Sequence, residues 1–152
     1  MLLDKELVFS DAQAVTTATA TASTNYLDML AVGDPGVGEP MWAVGQVDTT
    51  VQASGGAANV TFALQVDDNS SFSSATTIYA TAAIAKATLV AGYRFMCVRL
   101  PPIPAGAKER YLRALITPDT NDLTAGKFNI FLTRNVDLQP ATPYQRASYS
   151  VA

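Results

Sequence analysis

The sequence contains no histidine. That excludes every Ser–His or Cys–His nucleophile pair, every imidazole metal ligand and every imidazole acid or base. A single cysteine, Cys97, rules out an intrachain disulfide and any zinc site built on several thiolates. Charge is scarce: 15% of the 152 residues are Asp, Glu, Lys or Arg, against about 25% in ordinary domains. Ten Lys and Arg against 13 Asp and Glu leave a formal charge of −3, which lacks the basic excess of a nucleic-acid-binding surface. No window approaches the roughly 18 continuous apolar residues of a membrane span. The opening Met1-Leu2-Leu3-Asp4-Lys5-Glu6 carries charges where a secretion signal needs an apolar run. These absences predict a chain that is not an enzyme, takes no cofactor or metal, binds neither nucleic acid nor membrane, and stays soluble inside a cell or a particle.

What is present is apolar and small. Hydrophobic residues make up 49% of the chain, too many for a disordered polymer of this low charge. Ala, Thr and Ser number 25, 17 and 9. Period-two alternation dominates the pattern. In Asn59-Val60-Thr61-Phe62-Ala63-Leu64-Gln65-Val66, one face carries Val60, Phe62, Leu64 and Val66, as in a half-buried strand. Residues 126–134 repeat this, with Phe128, Ile130 and Leu132 inward and Phe131 on the outer face. Residues 41–47, 93–100 and 111–117 are further strand candidates, rich in aromatic and β-branched side chains. The Thr-Ala alternation of 16–24 favours a strand, and the Ala-rich stretch 80–91 offers only thin evidence for a short helix.

Turn clusters separate these runs at 33–40, 54–56, 67–70, 101–106 and 118–122. Seven to nine short strands punctuated in this way predict an all-β antiparallel sandwich or jelly roll. It would be a single domain over 11–138, with an N-terminal arm over 1–10 and a C-terminal tail over 139–152.

Few groups invite chemistry. Asp67-Asp68-Asn69 resembles a fragment of a calcium loop, but serines follow where further acids are needed, so a turn capped by its own side chains is expected. Asp119 and Asp122 lie in a polar loop that does little to raise a carboxyl pKa, unlike the paired acids of glycoside hydrolysis. The glycine-rich 33–38 is followed by Glu39-Pro40 and a strand, where a phosphate cradle needs a helix. Cys97 reads as a small buried hydrophobe. Arg94, Arg99, Arg110, Arg113 and Arg134 lie in or beside predicted strands, where they either pair with acids on a neighbour or line a polar face.

Several stretches, taken in order, resemble the capsid cement proteins of short-tailed phages, the family typified by the Bordetella phage cement protein. They are residues 1–13, then Val37-Gly38-Glu39-Pro40 leading into a strand that ends Gln46-Val47-Asp48, then Asp67-Asp68-Asn69 with Phe72-Ser73-Ser74-Ala75-Thr76-Thr77, then Thr124-Ala125-Gly126-Lys127-Phe128. The resemblance covers residues 1–138 and leaves the tail unmatched. It implies a jelly-roll domain on the outer surface of the virion capsid, made in the bacterial cytoplasm. Its partners would be the major capsid protein and a second copy of itself, as a homodimer, with a trimer as the other option. No catalytic residue carries over.

The two ends supply the candidate partner-binding residues. Leu2, Leu3 and Phe9 stand in the arm, and Tyr144, Arg146 and Tyr149 in a Pro-interrupted tail that is either frayed or laid along a partner. Phe131 is a candidate seam between copies. Two rival readings remain. A tail-spike or receptor-binding sandwich would share this composition at few copies per particle. A carbohydrate-binding jelly roll would need clustered aromatics, whereas Trp42 stands alone and the tyrosines are scattered along the chain.

Overall fold

The computed structural model describes residues 5–29, 40–101, 110–119, 121–134 and 136. Among them, one 3₁₀ turn, Lys5–Leu7, precedes ten strands. These are β1 (Val8–Ala14), β2 (Thr21–Ala22), β3 (Leu27–Asp28), β4 (Trp42–Ala53), β5 (Asn59–Asp67), β6 (Thr76–Ala80), β7 (Ile84–Ala85), β8 (Arg94–Arg99), β9 (Tyr111–Asp119) and β10 (Leu123–Thr133). Sheet A has the order β1-β10-β4-β8, and all its pairs are antiparallel. In sheet B, β9 and β5 pair at the centre; β2 and β3 share the far side of β9, and β6 and β7 the far side of β5. The chain changes sheet between β1 and β2, β3 and β4, β4 and β5, β7 and β8, β8 and β9, and β9 and β10. That wrapped path is the jelly-roll arrangement expected from the spacing of the turns.

The alternation places the core as read. Val60, Phe62, Leu64 and Val66 are fully buried, as are Phe128 and Ile130, with Leu132 at 1% exposure. They join Val47, Val51, Phe95, Met96, Leu112, Ala114 and Ile116 in one cluster fed by both sheets. At its centre the Phe62 ring of sheet B stacks on Phe95 of sheet A, centroids 3.6 Å apart, and Phe128 meets both rings edge-on. Offset-stacked and edge-to-face contacts of this kind add about 0.5–1.5 kcal/mol per pair beyond the buried area.

Space for the stack comes from Gly45 on β4, where an added Cβ would lie less than 3.0 Å from three atoms of the Phe95 ring. Phe95 occupies an irregularity in the β4–β8 ladder, between the Gly45↔Met96 and Gln46↔Arg94 pairs, so two successive residues, Phe95 and Met96, both reach the core. A bulge delivers this result because one extra residue re-aims a side chain. A second irregularity, in β1 between Ser10 and Gln13, holds Ala12 at φ 46°, with its N–H donating to Asn129 Oδ1 at 2.6 Å.

Several expectations need correction. Residues 16–24 form no long strand: only Thr21–Ala22 pairs, and threonine hydroxyls bond nearby carbonyls in place of a ladder. Residues 80–91 hold no helix but the two-residue β7 and hydrogen-bonded turns, because Leu89 is drawn into the core and its C=O accepts from Val51 N–H. The arm does not extend to residue 10, since Val8, Phe9 and Ser10 belong to β1. The turn clusters at 33–39 and 102–106 lie outside the described residues.

Replacing Gly45 with Ala forces the Phe95 ring off Phe62. The expected loss is about 1–3 kcal/mol of unfolding free energy in urea, whereas an Ala at Gly56, which has open space around it, changes stability by less than about 0.5 kcal/mol.

Candidate functional site

The outer face of sheet B gathers groups that are distant in sequence. Register sets Asp67 of β5 opposite Tyr111 of β9, and Gln65 opposite Arg113, all on the side away from the core. The connection from β5 to β6 folds back over this end. Phe72, at φ 52° and 8% exposed, lands edge-on against Tyr111 and Tyr26, with centroids 6.5 and 6.0 Å away. Tyr26 and Tyr111 meet edge-to-face at 5.5 Å. The Arg113 guanidinium lies 4.2 Å from the Phe72 ring centroid and donates through Nε and Nη2 to Gln65 Oε1. Arg110 lies 5.0 Å from the Tyr111 centroid and grips Asp28 with two hydrogen bonds, at 2.8 and 2.6 Å.

Asp67 anchors the folded-back turn. Its carboxylate accepts from the N–H of Asn69 at 3.0 Å, the N–H of Ser74 at 2.8 Å and the Ser74 hydroxyl. Burial pushes this carboxyl up, but the bonds from Asn69 and Ser74 outweigh it and hold its pKa below the usual carboxylate value. The self-capped turn expected from Asp67-Asp68-Asn69 is therefore what the chain forms, with Asn69 Oδ1 accepting from Ser71 N–H as well. Burial lowers the pKa of Arg113, while nearby Asp67 raises it. Hydrogen bonding to Asp28 raises that of Arg110. Both guanidinium groups stay charged at neutral pH.

The surface this leaves is fixed and partly open. Tyr26 is 51% exposed, and the Arg110 side chain 44%. Tyr and Arg held by neighbours lose little entropy on contact, which is why they dominate the hot spots of protein interfaces. The arrangement presents aromatic rings, tyrosine hydroxyls and a guanidinium at the surface. Sequence reading placed Arg110 and Arg113 in or beside strands, either pairing with acids on a neighbour or lining a polar face, and counted the tyrosines as scattered. The fold brings Tyr26 and Tyr111 together although 84 positions separate them.

The residues expected at partner contacts fare differently. Leu2, Leu3, Tyr144, Arg146 and Tyr149 lie outside the described residues. Phe9 is 1% exposed and packed in the core, so in this fold it is not available to a partner. Its pattern position was ambiguous because a strand's first inward residue looks like the last residue of an arm. Phe131 does point away from the core cluster, but at 7% exposure it is no open seam. Cys97 shares that outer face, half-buried and outside the core where a buried hydrophobe was expected. Asp122 accepts from Ala18 N–H in an exposed turn, as the loop reading required. Among the described residues, no group of three or more His, Cys, Asp or Glu could hold a metal ion, and no helix is long and apolar enough to cross a membrane.

The Bbp16 family model matches residues 9–132, from β1 to the end of β10. The chain belongs to the Bbp16 family. That family bears the name of a Bordetella phage protein, which makes this a phage-type protein built on a jelly roll. No curated protein matches the sequence.

Asp67→Asn removes the charge that the turn's donors hold. Because the folded pKa lies below that of a free carboxyl, Asp67 contributes stability that is fully present above the free-carboxyl pKa and disappears as the pH falls through the folded value. The variant is therefore expected to be less stable than the parent at pH 7, with the gap closing below about pH 4, as read by urea midpoints across a pH series.

Proposed function

We propose that this protein is a capsid cement, or decoration, protein that binds the outside of a phage head and bridges neighbouring major capsid subunits. The observation that carries the reading is the Bbp16 match, which spans the whole sandwich, together with the ordered resemblance of residues 1–138 to phage cement proteins. The side-chain inventory supports it, since a chain without histidine and with one cysteine is suited to binding rather than turnover. In this reading the protein is not an enzyme, and its partners are the major capsid protein and a second copy of itself in a homodimer.

The mechanism is mass action. A protein that binds the assembled shell and not its dissociated parts lowers the free energy of the shell by RT ln(1 + [L]/Kd), about 2.7 kcal/mol per site at 100 times Kd. A shell repeats the same site many times, and a dimer that engages two subunits gains from effective concentration, so modest single contacts add to a firm hold. Contacts would come from Leu2 and Leu3 at one end of the chain, from Tyr144, Arg146 and Tyr149 at the other, and from the exposed ring of Tyr26 beside Arg110.

Two measurements test this reading. In purified virions the chain should stand near one to one with the major capsid protein by quantitative mass spectrometry. A handful of copies would move it to the tail as a receptor-binding sandwich, and none would remove it from the particle. Particles stripped of the protein should release their DNA at a lower temperature than decorated ones. Re-addition of a Tyr26→Ala, Arg110→Ala variant, or of a chain lacking 139–152, should need about tenfold or more protein to restore the parent's release temperature. Equal release temperatures with and without the protein would sink the cement reading.

A further inference from the structure

The tyrosine cluster on sheet B leaves a set of hydrogen-bonding groups unused. A guanidinium carries five N–H groups, and in Arg110 two of them, on Nε and Nη2, are spent on Asp28. Nη1 donates to nothing among the described residues, and the hydroxyls of Tyr26 and Tyr111 bond no described group. Among the described residues no buried side-chain polar atom lacks a partner, so the unbonded Tyr111 hydroxyl faces water. Tyr26 is 51% exposed and the Arg110 side chain 44%. The acceptors alongside are already taken. Both Asp28 oxygens accept from Arg110, both Asp67 oxygens from the folded-back turn, and Gln65 Oε1 from Arg113. The patch is therefore rich in free donors and poor in free acceptors. Its charges nearly cancel, because Arg110 faces Asp28 and Arg113 lies in the field of Asp67. Its relief is ridged: the Tyr26 ring plane stands at 86° to that of Tyr111 and at 66° to that of Phe72, which is the most buried of the three.

We propose that this patch docks an extended, proline-rich segment in the polyproline II conformation. In the cement reading, on which this part of the inference rests, the major capsid protein supplies it. Such a segment complements the patch group by group. Proline has a carbonyl but no N–H, and polyproline II uses no carbonyl internally, so the segment offers acceptors alone. Arg110 Nη1 and the two tyrosine hydroxyls are the donors that meet them. The pyrrolidine rings pack against aromatic ridges, and the preset conformation costs little entropy to bind. A saccharide is a poorer match, because its hydroxyls donate as often as they accept and its ring faces need a flat aromatic platform. An acidic segment gains little from an arginine whose charge Asp28 already balances.

The test uses the free full-length protein and capped decaproline, read by backbone amide NMR shifts. The peptide is expected to move the signals of residues 24–28, 65–74 and 110–113, and to leave those of Asp48 and Lys127 on sheet A in place. Tyr26→Ala should weaken binding about tenfold. Tyr26→Phe combined with Tyr111→Phe keeps the rings, removes both hydroxyls and should weaken it about threefold or more. Arg110→Lys loses the planar fork and should cost a similar factor. Thermal melting checks that each variant is folded. Between about 50 and 300 mM salt the affinity should change less than about twofold. The proposal is overturned if decaproline moves none of these signals, or if the double phenylalanine variant binds as the parent does. Binding of maltoheptaose or oligoglutamate at the patch, without binding of decaproline, would overturn it as well. None of these readouts involves the particle. Decaproline binding by a protein absent from virions would uphold the site and remove only the capsid as its source. Failure to bind would overturn the site and leave the cement reading to copy number and release temperature.

Discussion

The contact between Phe62 and Phe95 sets the distance and the register of the two sheets. Each ring comes from a different layer, and they stack at 3.6 Å with Phe128 closing the side. The stack requires a glycine at position 45 and an irregular ladder that turns both Phe95 and Met96 inward. Because strand side chains alternate, pinning these residues inward fixes the outward set on β4, β5, β8 and β10 as well. The chemistry of both exposed faces therefore follows from the packing at the centre.

Those faces differ in kind. On sheet B, the Asp67-capped turn folds back and assembles Tyr26, Phe72 and Tyr111 with two arginines, a rigid cluster with a polar rim. On sheet A, Phe131 and Val44 face away from the core cluster and are nonetheless buried. Contacts made by side chains already held in place lose the least entropy on binding.

Much of the fold was legible because burial in a strand has period two. Val60, Phe62, Leu64 and Val66, and Phe128, Ile130 and Leu132, were assigned inward from alternation alone, and all are buried. The same logic misled at the margins. Residues 16–24 alternate Thr with Ala, but with side chains that small neither face gains enough from burial to hold a ladder, and pairing shrinks to Thr21–Ala22. Phe9 sat next to charges and resembled part of an arm, while its partner strand β10, more than a hundred residues away, draws it into the core. Asp67-Asp68-Asn69 was readable as a capped turn because its hydrogen bonds are local.

The sequence by itself determined the class of the fold, the identity of the central core residues and the absence of imidazole chemistry. These rest on composition and on a periodicity that acts over a few neighbouring residues. Only the tertiary structure decided which outward residues meet. Tyr26 finds Tyr111, and Val8 lines up with Phe131, Val44 and Cys97, through pairings between strands far apart in the chain. Periodicity states which face a side chain takes, but not which strand will lie beside it. Strand order arises from closing a single core, and every surface site on this molecule depends on that order.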